Sequence, residues 1–137
     1  METKFNSQIC TTKEQSERLL ELGLKKETAD MYYEMKAEGE LPRIMPHKTE
    51  MDYFNLWDSI IPAWSLGRLI EMMPRTIKAN NDLFFLLVSK EDVFYDNTEG
   101  TAYSSFINRN GLYYNIILCI EWLIKEGYFN KEYLNEC

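Results

Sequence analysis

Side chains able to do chemistry are few in this chain and widely spaced. One histidine is present, His47, in the Pro-containing loop Met45-Pro46-His47-Lys48. Zinc hydrolases of the HExxH type need two histidines on one helix face, so that chemistry lacks its main ingredient. A nucleophile–histidine pair needs only one. Ser65, however, lacks the paired glycines of a nucleophile elbow and has no histidine near it in sequence. Carboxylates gather at Glu91, Asp92, Asp96 and Glu99, without the regular alternation of a calcium loop, and solvated turns account for them. Glu71 and Glu121 lie on apolar helical stretches. Buried there, a carboxylate would have a raised pKa suited to acid–base work; at the helix edge it would face water. The six glycines are isolated from one another, so no phosphate-binding loop is present. Cys10, Cys119 and Cys137 form no close pair, which excludes a disulfide framework and a cysteine zinc site. The expectation is no catalytic residue, no cofactor and no metal.

Aromatic side chains are the remaining signal, at 14% of the chain. Large rings build cores, and they also build partner-facing patches. Tyr53, Phe54, Trp57 and Trp64 are the candidate interaction surface, with burial in the core as the competing reading for the two tryptophans.

The elements that position these residues follow from caps and periodicity. Residues 1–11 read as a loose lead-in with a short strand near Phe5. Thr12-Lys13-Glu14-Gln15 is a capping box, Leu19, Leu20 and Leu22 supply the apolar side, and Gly23 ends the helix. Met31 to Met35 reads as a strand. Leu41 to Met45 is an edge partner, because Pro42 and Pro46 remove donors. Residues 47–60 read as a structured loop over the core. Ser65 caps a helix carrying Leu66, Leu69, Ile70 and Met73 on one face, and Pro74 stops it. Thr76 to Lys78, Leu83 to Val88, Val93 to Tyr95 and Ala102 to Ile107 are strands, with a turn at Asn80-Asn81-Asp82. Leu83 to Val88 is apolar at both parities, which predicts cover on both faces or an oligomer interface. Asn110 is expected to cap a last helix ending at Gly127. The fold class is α+β: one domain, a three- or four-stranded antiparallel meander packed against helices near 12–23, 65–73 and 110–126.

Charge narrows the partners. The net charge is −7, and the stretch from Asp82 onward holds nine acids against four bases. Such a surface repels phosphate and disfavours direct nucleic-acid binding. Met1 to Asn6 has no apolar core of a signal peptide. The apolar run Leu112 to Ile124 is broken by Asn115 and Glu121 and is shorter than the roughly 20 residues that span a bilayer. The cysteine usage fits a reducing compartment.

Four segments carry a resemblance. They are Glu14-Gln15-Ser16 to Leu22-Gly23-Leu24, Thr28-Ala29-Asp30-Met31, Ile61-Pro62-Ala63-Trp64-Ser65-Leu66, and Glu121-Trp122-Leu123 to Gly127-Tyr128. Their ordered set resembles a family of small uncharacterised proteins encoded by prophages and mobile elements of Bacteroides-type gut bacteria. The resemblance implies a bacterial cytoplasmic setting and a mobile-element origin, and no reaction. Three functions follow as expectations. The first is a non-enzymatic module that binds another protein and forms homo-oligomers. The second is an acidic decoy that occupies a nucleic-acid-binding host protein, as an anti-defence factor would. The third is a small-molecule binder or hydrolase using Glu71 or Glu121.

Overall fold

The computed structural model describes residues 8–35 and 41–136, so the expected strand near Phe5 lies outside the described residues. The first helix, α1 (Lys13–Glu21), has the expected capping box: the Gln15 N–H donates to Thr12 Oγ1 at 3.1 Å, and the Thr12 N–H donates to Gln15 Oε1 at 3.0 Å. It ends in a Schellman motif, with the Leu24 N–H reaching the Leu19 carbonyl past Gly23, whose φ is 103°. The lead-in is not loose throughout. Cys10 bridges to Ser65, and the Thr11 N–H donates to the Trp64 carbonyl at 2.9 Å, which buries both residues.

A first sheet has the order β2-β1-β3, from β1 (Met31–Glu34), β2 (Arg43–Ile44) and β3 (Ile60–Ala63), all antiparallel. β2 is the expected edge partner. β3 replaces part of what the sequence suggested was loop: Pro62 lies opposite Tyr32, and a residue without an N–H is tolerated because β3 is itself an edge strand. The segment before it is also more regular than expected. It forms α2 (Lys48–Tyr53), where the His47 Nδ1 accepts from the Thr49 N–H at 3.2 Å. Asn55, at φ 51°, closes α2 as the left-handed residue of a second Schellman motif, with the Leu56 N–H bonded to the Met51 carbonyl.

β3 leads through Trp64 and Ser65 into α3 (Leu66–Met72) and the second sheet. That sheet is a four-stranded meander of β4 (Thr76–Ala79), β5 (Asp82–Val88), β6 (Val93–Asp96) and β7 (Ala102–Phe106). Asn80 and Asn81 both have positive φ, 53° and 63°, which a type I′ hairpin requires at its two central positions. A shift in register between Tyr95 and Asp96 leaves Tyr103 as the extra residue of β7, and its ring meets Phe84 at 4.9 Å and Trp122 at 5.8 Å. The last helix, α4 (Leu112–Glu126), is not capped by Asn110. Gly111 holds the cap position at φ 101° with no side-chain bond, and Asn108 Oδ1 instead accepts from the Asn110 N–H.

The architecture is α+β, with a continuous core between the four-stranded sheet and the helices α1, α3 and α4. It takes Leu19 and Leu24 from the first helix and its cap, Trp64 and Leu69 from the centre, Phe84 and Tyr95 from the meander, and Ile116, Ile120 and Leu123 from α4. The meander is covered on one face only: Phe84 is buried, whereas Leu83 and Leu87 on the opposite parity are 43% and 48% exposed.

Candidate functional site

The centre of the molecule is a knot of hydrogen bonds around Trp64 and Ser65. Trp64 is fully buried, its Nε1–H donates to Thr28 Oγ1 at 2.9 Å, and its backbone N–H donates to Thr11 Oγ1 at 3.1 Å. Trp64 therefore does not belong to an exposed interaction surface: an indole goes inside when its N–H finds a buried acceptor. The Ser65 N–H donates to Asp30 Oδ1 at 2.8 Å, its hydroxyl donates to Asp30 Oδ2, and the Arg68 N–H donates to Ser65 Oγ at 3.2 Å. The hydroxyl is thus committed as both donor and acceptor. Ser65 is a helix cap anchored to Asp30, the residue before β1, and not a poised nucleophile. Arg68 completes the knot: its Nε–H donates to the Thr28 carbonyl at 2.8 Å.

The titratable candidates are tied into ion pairs. Glu121 meets Arg18 at 2.8 Å and Lys125 at 3.5 Å. The hydrogen bond from the Arg18 guanidinium holds Glu121 below the usual carboxylate range, opposite in sign to the raised pKa an acid catalyst needs. Glu71 pairs with Arg68 at 2.7 Å on an exposed flank. Burial pushes the Cys119 thiol up to about 12 and raises Cys10, so neither supplies a thiolate nucleophile. Glu91 and Asp92 sit on the turn between β5 and β6, and Glu99 on the turn between β6 and β7. Antiparallel connectivity puts those turns at opposite ends of β6, so Glu91 and Asp92 do not converge with Glu99. Among the described residues, no group of three or more His, Cys, Asp or Glu side chains is placed to hold a metal ion. No helix among them is long and apolar enough to cross a membrane.

Large apolar side chains stay exposed in two regions, one around the first sheet and α2 and the other on the meander. Tyr53 is 82% and Phe54 64% exposed, and their rings meet edge to face at 5.0 Å. Trp57 is half-buried: its Nε1–H donates to Asp52 Oδ1 at 2.8 Å, and Lys26 Nζ stands 5.2 Å from its ring centroid. That hydrogen bond holds Asp52 below the usual carboxylate range. Leu41 and Ile44 are each 80% exposed along the β2 edge.

Beside these rings lies a half-open cleft of about 510 Å³. Tyr32 and Glu34 of β1 form one wall, Met51 and Leu56 from α2 and its cap form another, and Ile60 opens β3 between them. Asp58 stands at its margin. The structure thus brings Tyr53, Phe54 and Trp57 to one region and removes Trp64 from it. The cleft had no counterpart in the sequence reading, because its walls come from segments far apart in the chain. Asn55 was the one local signal, an αL-tolerant residue just after an apolar turn. Comparison with protein-family models, curated proteins and solved structures gives no match.

Proposed function

We propose that this chain is a non-enzymatic protein-interaction module that presents the region around α2 to another protein. One observation carries the reading. Two adjacent aromatic side chains, Tyr53 and Phe54, are held in water on an ordered helix, where they contribute little to the core. Exposed aromatic patches of this kind are enriched at protein interfaces. The setting we propose, on the resemblance noted in the sequence, is the cytoplasm of a bacterium carrying the mobile element.

The test is affinity capture from a host lysate with the native chain, with Tyr53→Ser/Phe54→Ser, and with Leu83→Ser/Leu87→Ser as a control on the other exposed face. The reading expects a defined partner that the native chain and the control retain and the α2 variant loses. A strictly monomeric protein that captures nothing, or a partner equally held by the α2 variant, overturns it.

A further inference from the structure

Three features lie outside the reading above. The outer face of β5 is apolar, but nothing on it indicates what would cover it. The Cys10, Tyr33, Asp30 and Ser65 group is closed, with Cys10 buried and its thiol 3.4 Å from the Tyr33 hydroxyl. The third feature is the cleft, and its chemistry is specific enough to define an occupant.

We propose that the cleft takes an apolar side chain of a partner protein flanked by lysine or arginine, an assignment that rests on the interaction reading above. Size comes first. A cleft of about 510 Å³ lies within the roughly 300–1,000 Å³ of sites that enclose a ligand. Its lining includes Pro46, Met51, Leu56 and Ile60, apolar surface that rewards burial of a side chain. Met35 and Met51 can adjust to its shape, since thioether chains are flexible.

Charge gives the flanking residues. Two carboxylates line the cleft, Glu34 and Asp58, and among the described residues no Lys, Arg or His does. Glu34 is bridged to Arg43 at 3.5 Å. Asp58 has no ion pair among the described residues. A cation seated beside an apolar wall is less screened than one in open water, so this margin attracts a basic segment. An acidic partner is repelled twice, by the margin and by the net charge of −7.

The rings decide between a partner protein and a free amine. Tyr53 and Phe54 extend from α2, whose Met51 forms part of the cleft wall. A small ligand filling the cleft would leave both rings in water, whereas a peptide continuing past the anchor covers them.

Backbone amide NMR tests the assignment, using three peptides blocked at both ends: GSKFKSG, GSEFESG and GSKSKSG. The lysine–phenylalanine peptide is expected to move the signals of Tyr32, Ser59 and Ile60. Asp58→Asn, an exposed substitution, is expected to weaken it about two- to fivefold, the size of one partly exposed ion pair. Added salt should weaken it further. Equal binding of the glutamate peptide, shifts confined to Leu83 and Leu87, or no shift at millimolar peptide overturns the assignment. So does 3-phenylpropylamine if it moves the same signals as strongly, which would make the site one for a free amine. A silent cleft in a protein whose partner is lost with Tyr53→Ser/Phe54→Ser refutes the cleft alone. A cleft that binds the peptide in a protein that captures no partner supports the cleft and refutes the wider reading.

Discussion

Trp57 and Trp64 flank the same short strand, β3, and end in opposite surroundings. The Trp64 N–H finds Thr28 Oγ1 inside the protein, and the whole side chain is buried. The Trp57 N–H finds Asp52 on the surface, with Lys26 above the ring. The contrast extends to the stretches around them. From Ile60 to Met73, apolar side chains close the core and backbone groups are stitched to Asp30 and Thr11. From Leu41 to Ser59, Met45 packs against that core and Met51 is buried, while Ile44, Tyr53 and Phe54 stay in water. The same residue types thus build the fold in one stretch and a surface in the next. For the two tryptophans, what separates them is whether the indole N–H meets an acceptor inside or at the surface.

The largest expected effect lies on the buried side. Trp64→Ala should cost about 3–5 kcal/mol of stability through the cavity and the lost indole bond. Trp57→Ala should cost no more than about 1 kcal/mol. Urea denaturation of the two variants measures both, and similar losses would erase the contrast. Next is the knot that ties β1 to α3. Asp30→Ala strands the Ser65 N–H and hydroxyl and should cost about 1–3 kcal/mol. Ser65→Ala should cost about 1 kcal/mol through its cap. The double variant should lose less than the sum, because the two share the same bonds. Strict additivity in the double-mutant cycle would show that they act separately.

A smaller effect is set by pH. Glu121 has a depressed pKa in the folded state, so the stability it contributes is present above its ordinary value of 4.5 and is lost as pH falls through the lower, folded value. Acid unfolding should therefore be less steep in Glu121→Gln than in the native chain. Unchanged acid limbs would mean that the Arg18–Glu121 pair is not formed in solution.

Much of the framework was legible because it is written in local chemistry. Thr12 with Gln15, Gly23, Ser65 and the Asn80-Asn81 pair each specify a cap or turn within a few residues. The errors have one physical origin, since each depended on groups remote in sequence. Pro62 looked like a lead into a helix because its strand partner, Tyr32, lies far upstream. Cys10 and Thr11 looked loose until Trp64 supplied their bonds. Asn110 looked like a cap, but the chain turns one residue later at Gly111, where only positive φ fits. Among the candidate residues, Tyr53 and Phe54 stood out in the sequence as aromatic excess. The cleft did not, because Glu34, Met51 and Asp58 are joined only by the fold.

Tyr53→Ser/Phe54→Ser tests the central contrast most directly, with stability and partner capture measured on the same preparation. If the rings serve a surface, unfolding free energy stays within about 0.5 kcal/mol of the native chain while the captured partner is lost. A loss of stability of about 2 kcal/mol or more, or capture that survives the substitution, would contradict the account and return both rings to the fold.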